Sequence, residues 1–342
     1  MPGKIRTVEE KVLFRKGMGG YLYYRIPGIL PVRDALLLVL EARNSRLGDW
    51  GDIDILILRR ERDGELSQVH RIGESTLPPD GTMRTYNNPV LIPDGERVHL
   101  IYHKNYERAF LITSLDDGKT WSEAREITES YRRFPYEWNV CATGPGHGIR
   151  TGTGRLVAPV WLALGEVSRD GMTRAHAPSV AGAIYSDDHG ETWQAGALAQ
   201  GLANGNETTV AETEDGKLLF NYRNTDECRR RALGLSCDGG ESLESRWFCE
   251  ELVDPRCFGS MVSTAEGILF ANCEDAERRI HLTVKRSRDN GGSWEKVWEV
   301  DSVGGYPDIA EADGKVYLFY ERQEGDEIGE LVLAAGVWDR EA

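Results

Sequence analysis

The chain has 342 residues, 40% hydrophobic and 28% charged, with a formal net charge of -15. This balance suits a soluble globular protein with a sizeable core, and the acidity argues against nucleic acid or an anionic membrane surface as partner, though not against a small anion held by clustered arginines. No apolar run approaches the ~20 residues that span a bilayer, so no membrane anchor is expected, and the N-terminal MPGKIRTVEEKV lacks the apolar segment of a signal peptide, which leaves a cytoplasmic chain and one trimmed of its leader alike.

The first predicted element is YYRIPGIL, residues 23–30. Tyr23, Tyr24, Ile26, Ile29 and Leu30 suit a buried strand that Pro27-Gly28 interrupts, and Arg25 sits among them. A buried guanidinium is costly unless paired, so Arg25 needs either an internal carboxylate or an anion from outside. The stretch GDWGDID follows, with Asp49, Asp52 and Asp54, and then RERDGEL at 60–66. Strand patterns recur down the chain as RVHLIYH, AFLIT, RLVAPVW, VAGAIY, KLLFNYR, ALGL, GILFAN, IHLTV and KVYLFYE, and helical periodicity is scarce.

Four segments between these strands share one template: SLDDGKTW from 114, SDDHGETW from 186, SCDGGESL from 236 and SRDNGGSW from 287. The spacing is near fifty residues, and the longer first gap predicts an insertion around 125–140 or 164–178; RERDGEL reads as a decayed fifth copy. Asp and Gly close a tight turn, the Asp side chain accepts backbone N–H groups, the hydroxyls tie the turn to itself, and the Trp packs beneath it. Strand–turn–strand units of this period predict an all-β chain, a six-bladed β-propeller of four-stranded antiparallel blades, forming one domain over 1–342; a sandwich with four coincidental copies of one turn is the weaker alternative. The box residues are turn formers, and their spacing misses the EF-hand calcium loop. The six cysteines form no CxxC pair and read as reduced, mostly buried thiols; the seven histidines lack ligand spacing, so no metal site is expected, and His147 in TGPGHG reads as a loop former.

RIP followed by these aspartate boxes resembles the sialidases, especially bacterial exo-sialidases. The resemblance runs from about residue 20 to 335 through YRIPG, LEARN, GDWGDIDILILRR, NNPVL, ATGPGHGI, NETTVAE, GKLLFNYRN, RRIHLTVKRSRDNGGSW and GYPDIAEADGKVYLFYE. It implies a retaining exo-α-sialidase acting on sialylated glycans through a tyrosyl-enzyme intermediate, with no cofactor. Matched motif by motif, it implies that Arg25, Arg223 and Arg279 converge on the substrate carboxylate, with Arg278 as rival to Arg279, and that Glu321 orients Arg25. It makes Tyr306 the nucleophile, Glu207 its base, Asp49 the acid/base with Asp52 as runner-up, and Arg43 a contact of the sugar's 4-hydroxyl. A tyrosine suits this chemistry because a carboxylate would be repelled by the one on the carbon it attacks. Pro307 departs from the family, where serine is common. Trp50, Met83 and Tyr86 are candidates for lining the 5-substituent pocket. Two other readings are the same mechanism on deaminated sialic acid or a related keto acid sugar, and a non-catalytic glycan-binding propeller.

Overall fold

Short β-branched and aromatic runs, each ended by a Gly- or Asp-containing turn, have little helical propensity to compete with, and they pair as antiparallel hairpins. The structure, a computed structural model, describes residues 3–44, 48–73, 84–169, 171–324 and 327–339. Six sheets follow one another in the order of a β-propeller. The first is Tyr23–Pro31, Ala35–Arg43, Ile53–Glu61 and Leu66–Ile72, from the innermost strand outward. The inner strands of the others are Tyr86–Asp94, Val140–Thr143, Thr208–Glu212, Ser260–Thr264 and Gly304–Ala312; inner strands of neighbouring blades touch, except that Thr208–Glu212 meets the third blade through Leu156–Ala163. The sixth blade takes its outermost strand from the start of the chain: Ile5–Arg15 pairs antiparallel with Glu327–Trp338 and closes the ring.

The core is divided. Among the described residues, six apolar clusters each join two adjacent blades, as where Leu38, Leu40 and Leu56 of the first blade meet Phe319, Leu331 and Leu333 of the sixth. At ~25 cal/mol per Å² of buried apolar surface, this face-to-face packing holds the ring together.

The four aspartate boxes adopt one geometry between the third and fourth strands of blades two to five. In the second box, Ser186 Oγ donates to Asp188 Oδ1 at 2.8 Å and accepts from the Gly190 N–H at 2.9 Å, while Asp188 accepts from the Thr192 N–H at 2.8 Å and the Thr192 hydroxyl at 2.6 Å. The other three repeat these bonds around Asp116, Asp238 and Asp289. RERDGEL occupies the same position in the first blade, where only Asp63 caps the Glu65 N–H at 2.9 Å. The long first gap is filled twice, by a helix Thr128–Arg132 and by a hairpin over 164–178 bridged at Val167 and Arg174. Of the six cysteines, Cys141, Cys249, Cys257 and Cys273 are buried and all are free thiols.

One correction concerns His147. Gly146–His147 is a two-residue strand, parallel to Val90 and Leu91, rather than a loop. His147 Nδ1 lies 2.8 Å from Asp308 Oδ1. Fully buried Asp308 also accepts from the Ser260 hydroxyl at 2.6 Å and the Ile29 N–H at 2.7 Å, tying four inner segments together. Beyond this plug, the far ends of the inner strands wall a cavity lined by Leu30, Pro31, Ile149, Val262 and Ile309.

Candidate active site

Three inner strands break register near one end: between Arg25 and Gly28, between Asn87 and Val90, and between Gly305 and Asp308. Each bulge contains a residue in the left-handed region, Ile26 at φ 55°, Asn88 at φ 49° and Tyr306 at φ 47°. That conformation is strained for a β-branched isoleucine, and bulges of this kind re-aim the side chains beside them. Glu321 holds the first: its Oε1 accepts from the Ile26 N–H at 2.9 Å.

The same carboxylate answers the question raised by Arg25. Arg25 Nε and Nη2 donate to the two Glu321 oxygens at 3.0 and 3.2 Å, both side chains being buried. Arg25 thus has its internal partner, and its remaining terminal nitrogen, Nη1, reaches Asp49 Oδ1 at 3.5 Å. The Arg25 guanidinium also lies 5.0 Å from the centre of the Tyr306 ring, and Arg279 approaches that ring at 4.9 Å. Arg278, its neighbour, is exposed.

Tyr306 is buried, and its hydroxyl donates to Glu207, whose two oxygens lie at 2.9 and 2.8 Å. Arg223 Nη1 donates to the same hydroxyl at 2.8 Å and is also paired with Glu207. Burial, with the Glu207 charge adding to it, holds the phenol above its ordinary range; Arg223, Arg279 and Arg25 oppose that but do not overcome it. Tyr306 is therefore a neutral phenol hydrogen-bonded to a carboxylate. Among the described residues Arg279 makes no ion pair, and Arg223 Nε is buried without a hydrogen-bond partner. Guanidinium capacity around the ring thus exceeds what the protein itself satisfies.

Arg43 is fully buried beside Glu41, at 3.1 and 2.5 Å, and donates to the Gly48 carbonyl at 2.9 Å and Asp49 Oδ1 at 3.3 Å. Glu41 in turn accepts from the Asn88 N–H at 2.9 Å. Strand alternation puts residues 41 and 43 on one face, a signal in LEAR that the sequence reading did not use. Asp49 differs from the other carboxylates here in being half-exposed, at 45%. Burial pushes its pKa up, but Arg43 and Arg25, aided by His176, outweigh this and hold the carboxyl at about 2. Asp52 accepts from Asn44 at 3.1 Å, and Asp54 is bound by Tyr21 at 2.7 Å and Arg71.

Trp50, next to Asp49, packs against Tyr106 at 4.9 Å and His176 at 6.0 Å, and His176 lies 5.2 Å from Trp161. The 164–178 hairpin supplies His176 and fixes Trp50, whose indole N–H donates to the Arg174 carbonyl at 3.1 Å. Neither His176 nor Trp161 stood out in the sequence, because ring packing across blades leaves no local pattern. Tyr86 packs in the interface of the first two blades, and Met83 lies outside the described residues.

Residues 48–318 match the BNR repeat-like domain family. The chain is 31% identical over 312 residues to human Sialidase-3, covering 80% of this chain and 69% of that protein. It is 28% identical over 374 residues to a sialidase of Micromonospora viridifaciens, covering 97% of this chain, which spans only 55% of that protein. The solved structure of a Hadza microbial sialidase superposes with a TM-score of 0.76 at 23% identity, covering 95% of this chain and 68% of that one; at that identity the likeness concerns the fold.

Proposed function

The chain belongs to the sialidase family, and from that premise we propose that it is a retaining exo-α-sialidase acting on sialylated glycans. The observation that carries this reading is the buried phenol of Tyr306, hydrogen-bonded to Glu207 and ringed by Arg223, Arg25 and Arg279. An α-keto acid sugar bears a carboxylate on its anomeric carbon, and the three guanidiniums bind that anion through charge-assisted hydrogen bonds.

In the first step Tyr306 Oη attacks the anomeric carbon while Glu207 takes its proton. The bond to the aglycone breaks, and Asp49 protonates the leaving oxygen. Water then attacks the same carbon with Asp49 as base, and the phenol leaves with its proton returned from Glu207. Two inversions give net retention. Arg43 faces the sugar's 4-hydroxyl, and the fixed cations stabilise positive charge developing beside the substrate carboxylate by holding that carboxylate still. Incubation with a fluorogenic sialoside between pH 4 and 8 tests the activity, and NMR of the first-formed product tests the stereochemistry. The α-anomer is expected first; initial β-anomer, or no release of sialic acid, removes this reading.

Two further expectations follow from Asp49. With its carboxyl held near 2 by Arg43 and Arg25, it carries no proton in the free enzyme at neutral pH. A substrate carboxylate that takes up Arg25 weakens that field and raises the affinity of Asp49 for a proton. Anion binding is then coupled to proton uptake, so an anionic sialic acid analogue should bind more weakly as pH rises from 4 to 7, by up to about tenfold per unit. An inhibition constant that stays flat over this range in the wild type, or that slopes equally in Asp49→Asn, contradicts the coupling. Asp49→Asn should also lower turnover of a natural sialoside by about 10² to 10⁴, and that of an aryl sialoside with a good leaving group much less. Equal losses on both substrates would remove Asp49 as the acid.

A further inference from the structure

Behind Tyr306 lies a feature that glycoside hydrolysis does not use. Cys257 and Cys273 are both fully buried, and each Sγ lies 3.5 Å from the point that a Cβ on Gly305 would occupy. Arg279 Cβ lies at the same distance from that point. Both sulfurs thus pack against Gly305, and Cys273 Sγ approaches the Gly304 carbonyl at 3.4 Å. Cys257 is held from both sides of its backbone, its N–H donating to Asp254 at 3.1 Å and its carbonyl accepting from Arg231 at 2.9 Å. Cys257, Cys273, Ile26, Phe258 and Tyr306 form one buried cluster. Of the remaining thiols, Cys228 and Cys237 are exposed while Cys141 and Cys249 are buried.

We propose that Cys257 and Cys273 are an oxidisable dithiol whose disulfide, formed by a peroxide, inactivates the site by displacing Tyr306 and Arg279. The roles differ. Burial disfavours the Cys257 thiolate, but the neighbouring Cys273 thiol and the charges of Arg279 and Arg223 outweigh it, whereas acting as donor to Cys257, with burial added, pushes Cys273 up. Cys257 therefore attacks a peroxide oxygen; the O–O bond breaks, hydroxide leaves and takes up a proton as water, and Cys257 becomes a sulfenic acid. The Cys273 sulfur then attacks the Cys257 sulfur, the S–O bond breaks, and water leaves with the Cys273 proton. One peroxide is reduced to two waters as two thiols become one disulfide. Drawing the sulfurs to a bond of about 2.05 Å removes the thiol contact to Gly304 and pulls on the segment that aims Tyr306.

The test uses the full chain carrying Cys228→Ser and Cys237→Ser, so that the exposed thiols do not contribute. After hydrogen peroxide treatment, non-reducing peptide mass spectrometry should find residues 257 and 273 cross-linked, and sialoside hydrolysis should fall at least fivefold and return with dithiothreitol. Adding Cys273→Ala should abolish both the cross-link and the reversible loss. Absence of the cross-link, or a reversible loss that persists in the Cys273→Ala background, overturns the proposal. The activity arm rests on the sialidase reading, but the cross-link does not: if untreated protein releases no sialic acid, that reading fails and the cross-link alone decides the site.

Discussion

Replacing Tyr306 by Phe should cut kcat for an aryl sialoside by at least about 10³ while leaving the protein folded. The substitution removes one oxygen and nothing else. The ring remains between Arg25 and Arg279, whose guanidiniums lie 5.0 and 4.9 Å from its centre. Glu207 keeps its ion pair with Arg223, so no buried charge is stranded. The left-handed backbone at φ 47° is as accessible to Phe as to Tyr. The unfolding midpoint should therefore move by no more than a degree or two, and binding of an anionic substrate analogue should survive within about tenfold. Turnover within tenfold of wild type would exclude Tyr306 as nucleophile; a large fall in stability would show that the hydroxyl is structural.

Replacing Glu321 by Ala should have the opposite profile, with a large loss of stability. Glu321 is buried and makes two bonds to Arg25 and one to the Ile26 N–H. Its removal leaves a buried guanidinium whose nearest remaining carboxylate is Asp49, at 3.5 Å and half-exposed. It also frees a strained bulge from the bond that holds it. Breaking a buried pair from one side costs about 3 to 5 kcal/mol, read as a lower urea midpoint with unchanged slope. Glu321→Gln, which keeps an acceptor for Ile26 and Arg25, should lose less. If the two variants are equally stable, the charge of Glu321 contributes nothing, and the pairing argument fails. Catalytic efficiency should fall in both, because Arg25 is no longer held in its plane.

What could be read from the sequence divides along the range of the interactions involved. The aspartate boxes were legible because every bond in them, from Ser186 to Asp188 to Thr192, spans at most a few residues and repeats four times. The ring of six blades followed from their spacing. Within the candidate site, Arg25 stood out by its apolar company, but Arg223 and Tyr306 stood out only by motif, since nothing local distinguishes a strand residue that faces an axis from one that faces water. Of the bulges, only the one at Ile26 was marked, by the break at Pro27-Gly28; those at Asn88 and Tyr306, the axial bonds of Asp308 and the packing of Trp50, Tyr106, Trp161 and His176 were not read. Each depends on groups far apart in sequence, brought together only once neighbouring blades pack. His147 was misread for the same reason: a two-residue parallel strand pairs with Val90 and Leu91, more than fifty positions earlier.

The strand Ile5–Arg15 is the earliest of the chain, yet its sheet is the one completed last. During synthesis it cannot pair with Glu327–Trp338 until the residues between them have been made. Five blades can assemble behind it as they leave the ribosome, but the circle is joined only at the end, like a bracelet whose clasp was forged first. Folding speed should then be governed by this long-range closure, and a circular permutant that starts at Tyr23 and carries Ile5–Arg15 at its other end would turn the slowest encounter into a neighbouring hairpin.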